Sequence, residues 1–192
     1  MTINILPQLP GLVTYNPDFL NRNEADTLFT RLLDQTPWQQ ETIMMYGVEK
    51  LVPRLIAWYG DADYTYSRRT HRALPMTPDL LDLKQRAEAA AATRFNSVLL
   101  NLYRTGQDSV AWHADDEKDL GPEPVIASVS IGAERDFKLK HKAGQIKPVT
   151  LTLGHGSCLV MGAGLQRDWH HAIPKTARPV GPRINLTFRW IG

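Results

Sequence analysis

Arg183-Ile184-Asn185-Leu186-Thr187-Phe188-Arg189-Trp190 alternates polar and apolar residues without a break. Successive side chains of a strand point to opposite faces. The octet therefore reads as one strand, with Arg183, Asn185, Thr187 and Arg189 on one face and Ile184, Leu186, Phe188 and Trp190 on the other. Alternation alone fits an edge strand whose polar face is wet. Two arginines framing Asn and Thr also suit a small dianion, because guanidinium forks bind carboxylates in a bidentate way that lysine cannot copy.

Upstream, the period of two continues. Strands are expected at Ser97–Tyr103, Val125–Gly132, Asp136–Lys140, Val149–Leu153 and Ser157–Met161, with Gly and Pro between them. Many short strands with turn signals point to a sandwich or a jelly roll. The first half carries two helical patterns. One starts from Asn23 as N-cap and sets Leu28 and Leu32, with Phe29 and Leu33, on one face. The other has Thr77 as N-cap and Pro78 at its first position, and continues through Leu80, Leu83, Ala87 and Ala91. A strand-rich stretch, Glu41 to Tyr66, lies between them with a turn at Tyr46-Gly47. The expected class is α+β, mainly β, with the helices covering one outer face.

The chain has 192 residues, which suits a single domain. Apolar residues are 43%, charged residues 22%, and the net charge is +2, which excludes disorder and a strongly basic histone-like binder. The only cysteine, Cys158, rules out an intrachain disulfide and suits a reducing compartment. Residues 1–11 hold no Lys or Arg and carry Pro7 and Pro10, unlike a signal peptide. No apolar run approaches the length of a membrane-spanning helix. A soluble, cytosolic protein is the expectation.

Among six histidines, His71, His141 and His155 read as surface or turn residues. His113-Ala114-Asp115 differs. On an extended segment, the i, i+2 spacing points imidazole and carboxylate the same way, so both can chelate one ion. A distant His completes a two-His-one-carboxylate face with open positions, which suits non-haem Fe(II) oxygen chemistry. His170 and His171 both qualify; on an extended segment they face opposite ways, and only one can bind. Zinc could also use two His and one Asp. An Arg-bearing terminal strand favours iron, because 2-oxoglutarate is a dianion whose keto-acid end chelates metal and whose far carboxylate needs an anchor. Arg183 suits that anchor, with Asn101 and Tyr103 as hydrogen-bond donors.

At these residues the sequence resembles the AlkB family of Fe(II)/2-oxoglutarate dioxygenases, which repair alkylated bases. The matching text is Asn101-Leu102-Tyr103, His113-Ala114-Asp115, Trp169-His170-His171-Ala172-Ile173-Pro174 and Arg183 to Arg189. The resemblance covers residues 12–192 and is tightest after Phe95. It implies a double-stranded β-helix (jelly-roll) catalytic core at about 97–192, with N-terminal helices and a nucleotide-recognition lid at about 12–96. It makes His113, Asp115 and His171 the iron ligands. It places Asn101, Tyr103, Arg183, Thr187 and Arg189 on 2-oxoglutarate, with Arg183 at the distal carboxylate and Arg189 near the chelating end.

The resemblance also implies a substrate. Tyr64-Thr65-Tyr66 matches an aromatic segment placed over the target base, and Asp116 would add a carboxylate favouring cationic 1-methyladenine and 3-methylcytosine. Met45-Tyr46-Gly47 matches a hairpin whose tip fills the gap left by a flipped base. Arg54, Arg68, Arg69, Arg72, Lys138, Lys140 and Lys142 are candidates for phosphate contacts. The implied reaction consumes O₂ and 2-oxoglutarate and releases succinate, CO₂, formaldehyde and the repaired base. Alkylated DNA is the expected partner, with RNA as an alternative substrate and a catalytically silent nucleic-acid binder as a rival class. A monomer is expected, cytoplasmic in a bacterium or nuclear in a eukaryote.

Overall fold

The computed structural model describes the chain except residues 46, 62, 63, 67 and 68, and the side chains of 43–46 and 62–71. In chain order the elements are β1 Ile3–Asn4, β2 Val13–Asn16, α1 Arg22–Gln35, β3 Gln39–Met45, β4 Val48–Gly60, β5 Tyr64–Tyr66, β6 Arg69–His71 and α2 Pro78–Ala91. There follow β7 Ser97–Tyr103, β8 Val110–His113, β9 Ile126–Gly132, β10 Arg135–His141, β11 Val149–Leu153, β12 Ser157–Met161, α3 Leu165–Asp168, β13 Trp169–Ile173 and β14 Arg183–Arg189. Eight strands form one sheet in the order β1-β2-β12-β9-β14-β7-β4-β3, and four form a smaller one in the order β11-β10-β13-β8. Two antiparallel sheets around a shared interior match the expected jelly roll.

The terminal strand is not at an edge. β14 pairs with β7 on one side and β9 on the other, and every residue from Arg183 to Arg189 is buried. Its apolar face, Ile184, Leu186 and Phe188, packs with Leu80, Leu83 and Ala87 of α2 and with Ala25 and Leu32 of α1. Those helices therefore cover the outer face of the large sheet. The polar face points between the sheets. The strand stops at Arg189 rather than Trp190, which is 54% exposed.

The first helix is capped by Asn21, not Asn23. Asn21 Oδ1 accepts from the Glu24 amide at 3.0 Å, and Glu24 Oε2 accepts from the Asn21 amide at 2.9 Å. This reciprocal box needs Glu or Gln three residues after the cap; Asn21 has Glu24 there, whereas Asn23 would have the shorter Asp26. The second helix begins as expected, with Thr77 capping the Leu80 amide and Pro78 next. A second core fills the space between the sheets at one end, built from Tyr103, Ile126, Phe137, Leu139, Leu159, Trp169 and Ile173. Phe188→Ala should lower stability by about 3–5 kcal/mol, the range for deleting a buried aromatic, read as a lower denaturant midpoint at unchanged slope.

Candidate metal centre and anion pocket

Register brings the chemistry together. In the small sheet His171 of β13 lies opposite His113 of β8, so both imidazoles reach the same interior, with ring centroids 4.1 Å apart. Asp115 follows two residues after His113. One donor atom from each of His113, Asp115 and His171 lies within 4.8 Å of the others. One small ion with ~2 Å bonds fits such a set. His170, one residue earlier on β13, is excluded from this group, as strand alternation requires. His113 Nδ1 sits 2.8 Å from the Ala111 carbonyl, the kind of contact that fixes a ligand ring.

The electrostatics favour ligation. Burial pushes His171 down to about 3, although the Asp115 carboxylate opposes that shift, so its imidazole is neutral at pH 7. Burial alone would raise Asp115, but Arg189 leads the surrounding charges in holding it below the ordinary carboxylate range. Arg189 Nη2 donates to Asp115 Oδ2 at 3.2 Å across 74 residues of sequence.

Further along the same polar face is a second demand for charge. Arg183 is 1% exposed. Its Nη2 donates to Ser130 Oγ at 2.9 Å and its guanidinium carbon stands 5.1 Å from the centre of the Tyr103 ring. Nε and Nη1 of Arg183 find no hydrogen-bond partner among the described residues. A buried guanidinium with two unused donors beside a metal-type triad fits a carboxylate. Burial, with Arg135 beside it, lowers the Arg183 pKa. A chelating dianion therefore suits this cavity on charge and on donor count.

The cavity is lined by the ligand triad together with Asn101, Tyr103, Arg183, Thr187 and Arg189. Thr187 Oγ1 donates to Asn185 Oδ1 at 3.0 Å, and Asn185 Nδ2 donates to Ser128 Oγ at 2.8 Å, so the polar ladder is internally bonded. Asn101 Oδ1 accepts from Arg54 Nε at 2.7 Å, which turns its amide nitrogen into the remaining donor. Asp116 is not brought in. Its side chain is 62% exposed and pairs with Lys142 at 3.4 Å, because successive residues of an extended segment point apart; Glu117 lines the cavity instead. Tyr46 and the side chains of Tyr64 and Tyr66 lie outside the described residues.

Sequence reasoning passed over Ser128 and Ser130, although their period of two on β9 was a usable signal, and had Arg54 only as a candidate for phosphate. Register sets Ser130 and Asn101 on either side of Asn185, and Ile56, two residues from Arg54, next to Asn101. It also missed Arg135, buried under Tyr103 and donating to the carbonyls of Thr105, Asp108 and Pro174.

Comparison with known proteins is consistent with this geometry. The 2OG-Fe(II) oxygenase superfamily profile matches residues 12–189. The chain is 44% identical over 198 residues to the alpha-ketoglutarate-dependent dioxygenase alkB homolog 3 of Bos taurus, covering 98% of this chain and 69% of that protein. It is 40% identical over 205 residues to the DNA oxidative demethylase ALKBH2 of Arabidopsis thaliana, covering 92% and 65%. The solved structure of OsALKBH1 shares the fold, with a TM-score of 0.69 at 16% identity over 95% of this chain and 98% of that one.

One pH dependence follows. Between about pH 3 and 6.5 the unfolded chain holds a proton on residue 171 that the folded metal-free protein does not. Folding stability from this group is fully present above 6.5 and is lost as pH falls toward 3. The metal-free protein should therefore melt lower at pH 4.5 than at pH 7, and His171→Leu should shrink that difference; an unchanged difference would contradict a neutral buried imidazole.

Proposed function

The chain belongs to the AlkB family within the 2OG-Fe(II) oxygenase superfamily, and from that premise we propose that it removes N-linked methyl groups from alkylated bases in DNA, of the 1-methyladenine and 3-methylcytosine type. It is an Fe(II)/2-oxoglutarate-dependent dioxygenase. The observation that carries the reading is the half-satisfied Arg183, set on the same strand face as the arginine that holds Asp115.

Iron, when bound with 2-oxoglutarate, would let O₂ hydroxylate the N-methyl carbon while 2-oxoglutarate is converted to succinate and CO₂, and the hydroxymethyl group would then leave as formaldehyde. The chain's own residues do the positioning. His113, Asp115 and His171 would hold the metal on one side and leave the other open. Arg183, with Tyr103 and Asn101, would receive the distal carboxylate of the co-substrate. Arg189 keeps Asp115 ionised and oriented, and Thr187 holds the polar ladder in register. The apolar lining from Ile56, Trp58 and Leu99 keeps water out of the reacting space.

On the substrate side, residues 12–96 would act as the recognition lid over a core at 97–192. Tyr64 and Tyr66 would stack on the extruded base, and Tyr46 would enter the gap it leaves. A cationic methylated base would find its carboxylate in Glu117 rather than Asp116. Relatives named as DNA demethylases support a nucleic-acid substrate for this site. No helix among the described residues is long and apolar enough to cross a membrane. The protein would work as a monomer in whichever compartment holds the DNA, nuclear or bacterial cytoplasmic.

The deciding experiment supplies Fe(II), 2-oxoglutarate and O₂ with methylated DNA oligonucleotides and follows base mass and formaldehyde; RNA oligonucleotides form the comparison arm. Conversion of the DNA supports the reading, and turnover confined to RNA overturns it. His113→Ala should abolish formaldehyde release with an unchanged circular-dichroism spectrum. Arg183→Ala should weaken 2-oxoglutarate binding by roughly 2–5 kcal/mol, the range for truncating one partner of a buried charge pair.

A further inference from the structure

We propose that Gln166 is a positioning residue that fixes the Asp115 ligand and ties together the two chain segments that build the metal centre; this rests on reading His113, Asp115 and His171 as ligands. Gln166 sits in α3, five residues before His171, and is 1% exposed. Its Oε1 accepts from the Asp115 backbone amide at 3.0 Å, across 51 residues. Its Nε2 lies 3.6 Å from Met161 Sδ at the end of β12, which sets which way the amide points. Its backbone carbonyl accepts from Lys142 Nζ at 2.9 Å, and the same ammonium is 3.4 Å from Asp116 Oδ2.

Asp115 needs such a brace. β8 ends at His113 and lies at the edge of the small sheet, with β13 as its only ladder partner among the described residues. No ladder therefore holds Asp115, yet its side chain is 5% exposed and buried against Arg189. An amide N–H left bare there would cost free energy. Gln166 satisfies it. Arg189 orients the carboxylate, Gln166 anchors the backbone behind it, and α3 leads directly into the strand carrying His171. One side chain thus sets the distance between ligands that are 56 residues apart in sequence.

Groups that support metal ligands typically contribute 10- to 100-fold in affinity. Mn(II), a redox-stable stand-in for Fe(II), is titrated calorimetrically into the metal-free full chain. Gln166→Met keeps the length but removes the acceptor, and should raise the Mn(II) Kd by about 10- to 100-fold. Met161→Leu removes the sulfur contact but keeps the acceptor, and should hold the Kd within about threefold, well short of that range. A Gln166→Met Kd within threefold of the parent's, or a Met161→Leu loss equal to that of Gln166→Met, would overturn the proposal. A second reading needs no variant. The Asp115 amide of the metal-free parent should exchange with deuterium as slowly as the β13 amides, and exchange at the free-chain rate would sink the idea. If the parent binds no Mn(II) while that amide is protected, the ligand assignment fails and the brace stands.

Discussion

A guanidinium taken out of water without a counter-charge costs several kcal/mol, and β14 buries two of them. Arg189 meets its charge inside the chain, on the Asp115 carboxylate. Arg183 meets a serine hydroxyl and an aromatic face, with two donors left over. Neither arginine can relax toward solvent, because strands flank β14 on both sides and helices seal its other face. The fold thus builds an electrostatic deficit at a fixed place. One end of the strand is neutralised by the Asp115 carboxylate, and the other is open to an anion from outside. A chelating dianion between the two satisfies both the ion and the arginine.

The strands separate their duties by face. On β7, β9 and β14 the outward residues pack against α1 and α2, while the inward ones carry Asn101, Tyr103, Ser128, Ser130 and the β14 polar ladder. The small sheet follows the same rule: Lys140 and His170 face each other across one register pair, and Leu139 and His171 across the next. Helix packing can therefore stabilise the large sheet without intruding on the cavity. The contacts that join Asp115 to the rest of the site, from Arg189 and from Gln166, are long-range, so the triad assembles only after both sheets have closed.

Much of this was legible because strand periodicity is strict. The faces of Arg183–Arg189, the pairing of His113 with Asp115 and the capped start at Thr77 all follow from spacing. What spacing could not give was neighbourhood. An alternating strand looks the same at an edge and in the middle of a sheet, and only the pairings with β7 and β9 decide between them. β8 and β13 were hard to see as strands, since Val110–His113 and Trp169–Ile173 are short and spend their inward positions on histidine. Asp116 lies outside the cavity because proximity in sequence to Asp115 is not proximity in space: one residue along the segment turns the side chain outward, toward Lys142. Gln166 and Arg135 act through backbone groups far away in the chain, and no local pattern announces such contacts.

The strict alternation of β14 also constrains how the gene encoding it can drift. A single codon inserted or deleted within Arg183–Arg189 would rotate every later side chain by half a turn, sending Arg189 toward the helices and Phe188 toward the His113, Asp115 and His171 triad. Packing and chemistry would be lost in the same event, with no intermediate that keeps either. Length variation in this lineage should therefore collect elsewhere, as in the exposed stretch between β10 and β11, while change within the terminal strand proceeds by substitution alone.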